Sequence, residues 1–183
     1  MPKRKPKHRP FPYKPVGVIT AILALAVVVV LLVPPALPPP RPVTDICITA
    51  EKYHIHVLLR IVVSTFAQSF EAYSPPENVG ILFDYPAGTG KVCMRPLHTH
   101  DASGVIHVEY EQPRDFTLKE FFDVWNVTFS MTKIWKWGIG EKGENNGTFT
   151  SIEFLAGIDP PFQPFDPYTM VLKNRLIINI RIS

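Results

Sequence analysis

Alternating apolar and polar side chains run through residues 52–63, "KYHIHVLLRIVV". Because successive side chains of a strand point to opposite faces, this alternation predicts a half-buried strand. One face carries Tyr53, Ile55, Val57, Leu59 and Ile61, and the other carries Lys52, His54, His56 and Arg60. The pattern therefore predicts a strand with one hydrophobic face and one face that carries two histidines.

Further along the chain, a strand pattern is interrupted by a turn and followed by a helical pattern. Residues 92–99 and 104–110 predict two strands around the turn "DASG". In residues 115–125, "DFTLKEFFDVW", Thr117 and Glu120 have the spacing of a capping box. The segment therefore predicts a helix of about eight residues that packs on a sheet. Its apolar stripe consists of Leu118, Phe121, Phe122 and Trp125.

The C-terminal third of the chain again favours strands. Residues 126–137 and 149–157 have extended patterns, and residues 168–183 predict two strands around Lys173 and Asn174. In the last of these, Leu176, Ile178, Ile180 and Ile182 share one face. Strands, one helix and then strands predict an α+β fold with a mainly antiparallel sheet. The helix-then-hairpin ending is compatible with a β-grasp-like C-terminal part.

The N-terminal residues have a different composition. Residues 1–15 carry six basic side chains and no acid, and residues 16–33 run without a charge. Eighteen apolar residues are about the shortest helix that crosses a ~30 Å hydrocarbon core. We therefore predict a cytoplasmic tail, a single transmembrane anchor at 16–33, a proline-rich stalk at 34–44 and an extracytoplasmic domain at 45–183. The alternative is a cleaved signal peptide, but "PPALPPP" lacks a small-x-small cleavage site.

The net charge of +3 comes from the tail. Six of the 19 basic residues lie there, which leaves 13 basic against 16 acidic residues, a net charge of −3 for the remainder. A nucleic-acid partner would call for a basic patch on the folded domain, and the sequence shows none. The partners that we expect are the membrane, through residues 16–33, and other membrane or envelope proteins.

Cys47 and Cys93 are the two cysteines of the chain. Outside the membrane they most simply form one disulfide, which closes a loop of about 46 residues. A metal thiolate, or a nucleophile in which Cys93 acts beside His100, are the alternatives. Asn126 and Asn146 begin sequons of the glycosylation type, which fit an external location.

Three pairs of metal-capable side chains have the i, i+2 spacing that places them on one side of a strand. The pairs are His54 with His56, His98 with His100, and His107 with Glu109. If Ala102 and Ser103 form a simple two-residue loop, His98 lies opposite His107 and His100 shares their face. A turn with an added bulge would instead shift the register and turn His107 away. The sequence leaves both registers open.

Imidazole together with carboxylate suits Zn²⁺, Cu²⁺, Fe²⁺ or Ni²⁺. The candidate ligands are first His98, His100 and His107, and then His54, His56 and Glu109. Asp101 is predicted to orient a ligand or to cap the turn. Metal-free packing and a pH-responsive histidine surface are the alternatives.

A membrane-anchored, extracytoplasmic domain that binds a divalent transition metal, with zinc or copper foremost, is the predicted function. The spacing of the histidines and carboxylates indicates no particular reaction and no catalytic residue. The alternative function is a metal-free interaction or accessory module of a membrane or envelope complex. In that case Trp135, Trp137 and the aromatic stretch "PPFQPFDPY" at 160–168 would form a contact surface, although both regions equally suit a core.

The stretch "RPLHTHDASGVIHVE", followed by "DFTLKEFFDVW", resembles a group of anchored or exported proteins of ammonia-oxidising archaea, with relatives in some bacteria. That group pairs an upstream His-x-His strand with an HTHD-x-SG-x-IH-x-E stretch and an FTL-x-x-FF-x-x-W helix. The likeness covers about residues 45–125 well and the C-terminal strands loosely. It implies an external domain of the same kind, and it implies no reaction.

Overall fold

A computed structural model describes residues 41–64, 70–143 and 147–183. The predicted tail at 1–15 and the predicted anchor at 16–33 lie outside these described residues, as does most of the predicted stalk. Where the chain is described, no helix has both the length and the apolar character needed to cross a bilayer.

One helix and eleven strands follow a short 3₁₀ turn at Val43–Asp45 in the described residues. The elements are β1 (Tyr53–Ser64), β2 (Phe70–Tyr73), β3 (Ile81–Leu82), β4 (Cys93–Met94), β5 (Leu97–His98), β6 (Val105–Tyr110), α1 (Leu118–Trp125), β7 (Lys133–Ile134), β8 (Trp137–Gly138), β9 (Ile152–Gly157), β10 (Gln163–Pro164) and β11 (Leu176–Ile182).

A seven-stranded sheet organises these elements in the order β10-β9-β11-β1-β6-β5. β2 also pairs with β1, beyond the stretch that pairs with β6. All neighbours are antiparallel except β1 and β11, which run parallel from Val57 opposite Leu176 to Val63 opposite Ile182. A mainly antiparallel sheet with one short helix confirms the predicted α+β class, and the parallel pair at the centre makes the sheet mixed.

The alternation along β1 has the predicted structural meaning. Ile55, Val57, Leu59, Ile61 and Val63 are buried, whereas the residues between them are half-buried or exposed. The buried side chains belong to one hydrophobic core that also includes Ile106 and Val108 of β6 and Ile178, Ile180 and Ile182 of β11. The other face of β1 can therefore carry polar side chains.

The helix α1 begins with the predicted capping box. The Thr117 hydroxyl accepts from the backbone N–H of Glu120, and the Glu120 carboxylate accepts from the backbone N–H of Thr117 at 2.8 Å. Leu118, Phe121 and Phe122 are fully buried, as the apolar stripe predicts. The helix ends at Trp125 and is followed by the C-cap residue Asn126, whose φ of 58° lies in the left-handed region. Asn126 also begins the first of the two sequons, and this residue is exposed. Asn146, which begins the second sequon, lies outside the described residues.

Two predicted strands are shorter than their sequence patterns. The segment before Lys173 makes a single bridge between Val171 and Thr117, and its backbone bonds to the residues around the helix start instead of to β11. β11 has already used both of its edges, with β1 on one side and β9 on the other. The predicted strand at 126–137 is likewise reduced to β7 and β8, because Trp135 adopts a φ of 51° between them.

Cys47 and Cys93 form the predicted disulfide, which ties the segment before β1 to β4. Neither cysteine retains a free thiol. The alternatives of a thiolate ligand and of a Cys93 nucleophile beside His100 are therefore wrong.

Candidate metal centre

Five histidines converge on the face of the sheet that lies opposite the buried face of β1. The ladder between β1 and β6 places His54 opposite Glu109 and His56 opposite His107. The ladder between β5 and β6 places His98 opposite His107. β6 is thus the middle strand of the site, with one histidine pair on each flank. These five are all the histidines in the described part of the chain.

The turn between β5 and β6 decides this register. His98 lies opposite His107, which is the register expected of a simple two-residue loop, so the shifted register that would turn His107 away does not occur. Asp101 caps the turn, because its Oδ1 accepts from the backbone N–H of Ser103 at 2.9 Å. The hydrogen bond from the Ser103 side chain, together with this one from the Ser103 backbone, lowers the pKa of the Asp101 carboxyl. Gly104 takes a φ of 90°, and its carbonyl accepts from the Leu59 N–H at 2.8 Å.

The ring nitrogens approach one another in two groups. In the first, His54 Nε2 lies 3.0 Å from His56 Nε2 and 3.2 Å from His107 Nδ1. In the second, His98 Nε2 lies 3.3 Å from His100 Nε2. His100 follows the end of β5, and its ring packs edge-on against His107 with centroids 4.5 Å apart.

Glu109 lies between the two groups. Its Oε1 is 3.3 Å from His54 Nε2, 3.6 Å from His98 Nε2 and 3.5 Å from His107 Nδ1. The residue is only 4% exposed, and burial raises the pKa of its carboxyl. A single carboxylate oxygen therefore contacts imidazoles that come from three different segments of the chain.

Burial also keeps two of the imidazoles neutral. His98 is fully buried, and burial lowers its pKa to about 4, with a smaller contribution from the neighbouring imidazoles. The pKa of His107 is lowered to about 4 for the same reasons. A neutral imidazole has one ring nitrogen with a free lone pair, which is the form that binds metal ions.

Hydrogen bonds at the far ring nitrogens orient two of the histidines. His98 Nδ1 donates to the Arg95 carbonyl at 2.9 Å, so its Nε2 is the nitrogen that faces the site. His54 Nδ1 contacts the Glu51 carboxylate, so its Nε2 also faces the site. Such outer partners orient metal-binding histidines in known metal sites. Sequence reasoning missed Glu51, and its only signal is an acid three residues before His54.

The donor atoms fit the geometry of a metal ion. Three overlapping groups have donor atoms that all lie within 4.8 Å of one another, and they could hold a metal ion. Two ligands on a tetrahedral zinc ion lie about 3.3 Å apart, since zinc–nitrogen bonds are about 2.0–2.1 Å long. The separations of 3.0 to 3.6 Å described above match that value. The groups are His98, His100, His107 and Glu109; His54, His56 and His107; and Glu51, His54 and Glu109.

All six side chains predicted as ligands lie in this one cluster, which we call the histidine centre: His54, His56, His98, His100, His107 and Glu109. The two tryptophans of the alternative function lie elsewhere. Trp137 is buried in the hydrophobic core, and half-buried Trp135 packs against it with ring centroids 5.2 Å apart. Trp137 is therefore a core residue.

The fold and the site define an α+β domain whose sheet carries a histidine-rich centre able to hold a metal ion. Comparison of the chain with protein-family models, with curated proteins and with solved structures gives no match.

Proposed function

We propose that this chain is a membrane-anchored, extracytoplasmic protein whose histidine centre binds a divalent transition metal. The observation that carries the proposal is the spacing of the donor atoms. Ring nitrogens from β1, β6 and the end of β5 surround one buried carboxylate oxygen at separations that are expected between neighbouring metal ligands.

The buried carboxylate supports a metal over simple packing. Buried charges in proteins are paired with an opposite charge or bind a metal. Among the described residues, the basic side chains that contact Glu109 are three histidine rings. Two of these, His98 and His107, have pKa values lowered to about 4 and are therefore uncharged at neutral pH. A divalent cation would supply the positive charge that the Glu109 carboxylate otherwise lacks.

Nitrogen and carboxylate donors favour Zn²⁺, Cu²⁺, Fe²⁺ or Ni²⁺, and zinc and copper are the first candidates. Cu⁺ prefers sulfur, and both cysteines are bonded to each other. The rings of His54, His56 and His100 are exposed, so a bound ion would be reached from the solvent side.

Two features support an external location. The disulfide between Cys47 and Cys93 is the form that persists in an oxidising compartment. The Asn126 sequon is exposed, which suits a modified surface residue. With the apolar run at 16–33, these features fit an anchor with the domain outside.

The parallel pairing of β1 with β11 also supports the β-grasp-like interpretation.

Metal content is the direct test. The full chain, produced without a polyhistidine tag in an oxidising compartment and purified in detergent, is analysed for metals by mass spectrometry beside a His98→Ala/His107→Ala variant. His8→Ala is the matched control, because His8 is a histidine of the tail. We expect bound zinc, copper, iron or nickel in the parent and the control, and loss of the metal from the double variant.

Two further measurements make the result decisive. Far-ultraviolet circular dichroism must show that the double variant is folded; if it is not, the exposed pair His56→Ala/His100→Ala takes its place. Absence of metal from the parent protein, even after reconstitution with each of the four ions, would refute the proposal. The metal-free interaction module would then be the function to test.

A further inference from the structure

The histidine centre offers more donors than one ion uses. Five imidazoles and the Glu109 carboxylate face one another, and Glu51 adds a second carboxylate beside His54. Zinc in proteins is almost always bound by four ligands when structural and by three when catalytic. The surplus therefore needs an explanation beyond the binding of one ion.

The donors are divided into two pairs by β6. His54 and His56 come from β1, on one side of β6, and His98 and His100 come from β5 and the residues after it, on the other side. Neighbouring strands are about 4.8 Å apart, so β1 and β5 are separated by nearly twice that distance. Within each pair, the two Nε2 atoms are 3.0 and 3.3 Å apart, which suits two ligands of the same ion.

The middle strand supplies residues that reach both pairs. Glu109 Oε1 lies 3.3 Å from His54 Nε2 and 3.6 Å from His98 Nε2. His107 belongs to the donor group of His54 and His56 and also to that of His98 and His100. Because Glu109 Oε1 lies near a ring nitrogen of each pair, Glu109 is suited to bridge two ions at the separation of about 3.5–4 Å that is typical of two-metal sites.

We propose that the histidine centre binds two divalent ions, one at His54 and His56 and the other at His98 and His100, with Glu109 and His107 between them. This inference rests on the proposed function, because it assumes that the centre binds metal. An acidic side chain accompanies each pair: Glu51 contacts His54, and Asp101 interacts electrostatically with His100 and His107. These carboxylates offset part of the added positive charge.

A single ion held by the four-donor group of His98, His100, His107 and Glu109 is the competing arrangement. It would leave His54 and His56 without a metal bond. The two arrangements differ in the role of the exposed His56. In the two-ion centre His56 holds one of the ions, whereas in the one-ion centre His56 holds none.

Copper(II) titration of the full, metal-free chain distinguishes the two-ion arrangement from the one-ion arrangement. Copper bound after gel filtration is counted by mass spectrometry, and the electron paramagnetic resonance signal is integrated on the same samples. The variants are His56→Ala and His100→Ala, whose rings are exposed, with His8→Ala as the matched control. We expect two copper ions per chain in the parent and the control, and one in each variant.

The resonance signal tests whether the ions share ligands. Two copper(II) ions about 4 Å apart interact magnetically, so the integrated signal of the parent should fall well below its copper content. Each single variant should recover the full signal of one isolated ion. One ion per chain in the parent, or two ions with full uncoupled signals, overturns the inference. The first of these results leaves the proposed function intact, whereas no copper at all refutes both.

Discussion

His98 and His107 lie opposite each other across the β5–β6 ladder, and their imidazole rings stack with centroids 5.5 Å apart and planes 17° apart. This stacking brings a fully buried ring against a half-buried ring of the middle strand. It depends on the turn that joins the two strands, because a register shift of one residue would send His107 to the other face of the sheet. The geometry of the turn is therefore a condition for the site.

Gly104→Ala is expected to damage both the fold and the site. A Cβ at this position would lie 2.5 Å from the Leu59 carbonyl oxygen, and the φ of 90° is itself unfavourable for alanine. We expect the free energy of unfolding to fall by more than about 1 kcal/mol, and we expect metal binding to weaken. Urea denaturation and metal titration measure the two effects.

Gly88→Ala is the matched control for that substitution. Gly88 has a similar φ of 81°, but no atom lies within 4 Å of its added Cβ. The Gly88→Ala variant therefore has a similar backbone strain but no steric collision of its Cβ. Equal metal affinity in the two variants would show that the turn at Gly104 does not set the position of the histidines.

Glu51→Ala is expected to weaken metal binding without abolishing it. The Glu51 carboxylate contacts His54 Nδ1 and so directs His54 Nε2 into the site. Loss of such an outer partner typically costs about 10- to 100-fold in metal affinity. Competition with a chelator of known affinity measures the change. Glu153→Ala is the control, since Glu153 is an exposed carboxylate on β9, beyond β11. An equal loss in both variants would exclude a specific role for Glu51.

The metal-free protein is expected to lose stability as the pH falls from 6.5 towards about 4. The folded-state pKa values of His98 and His107 are about 4, below the ordinary value of 6.5. Between these values the unfolded chain binds protons that the folded protein does not, so acid favours unfolding. The lowered pKa of buried His98 corresponds to roughly 3 kcal/mol. Above pH 6.5 this contribution is fully present.

Glu109 acts in the opposite direction. Its raised pKa means that it stabilises the fold below its ordinary value of 4.5, and that this contribution is lost as the pH rises through the folded-state value. Urea denaturation at a series of pH values, with a chelator present, measures the sum of the histidine and Glu109 contributions to the free energy of unfolding. We expect a steeper rise of stability with pH in Glu109→Gln. A flat profile between pH 4 and 6.5 would contradict the assignment of neutral, buried histidines.

Reduction of the disulfide is expected to lower the free energy of unfolding by roughly 2–4 kcal/mol. Cys47 and Cys93 are 46 residues apart, so the bond restricts the unfolded chain over a long loop. The comparison is urea denaturation of the parent with and without a reductant. A Cys47→Ala/Cys93→Ala variant serves as the control, because a reductant should leave its midpoint unchanged. A parent midpoint that does not respond to the reductant would contradict this expectation.

Local pattern was sufficient for much of the fold. The alternation of residues 52–63 identified both the strand and its buried face, because side-chain direction in a strand depends only on position. The capping box at Thr117 identified the start of α1 for a similar reason, since its hydrogen bonds join residues three apart. The prediction of a strand before Lys173 was wrong, because a strand also needs a neighbouring strand with an unpaired edge. Both edges of β11 are already paired.

The spacing of residues along the chain establishes which side chains of each strand point the same way, and it therefore establishes the three pairs from which the site is built. The meeting of these pairs depends on the tertiary structure. His54 and His107 are 53 residues apart, and they become neighbours because the hydrophobic face of β1 and that of β6 are buried in one core with those two strands paired. Strand pairing over such a separation is decided by the packing of the whole core, which no local pattern contains.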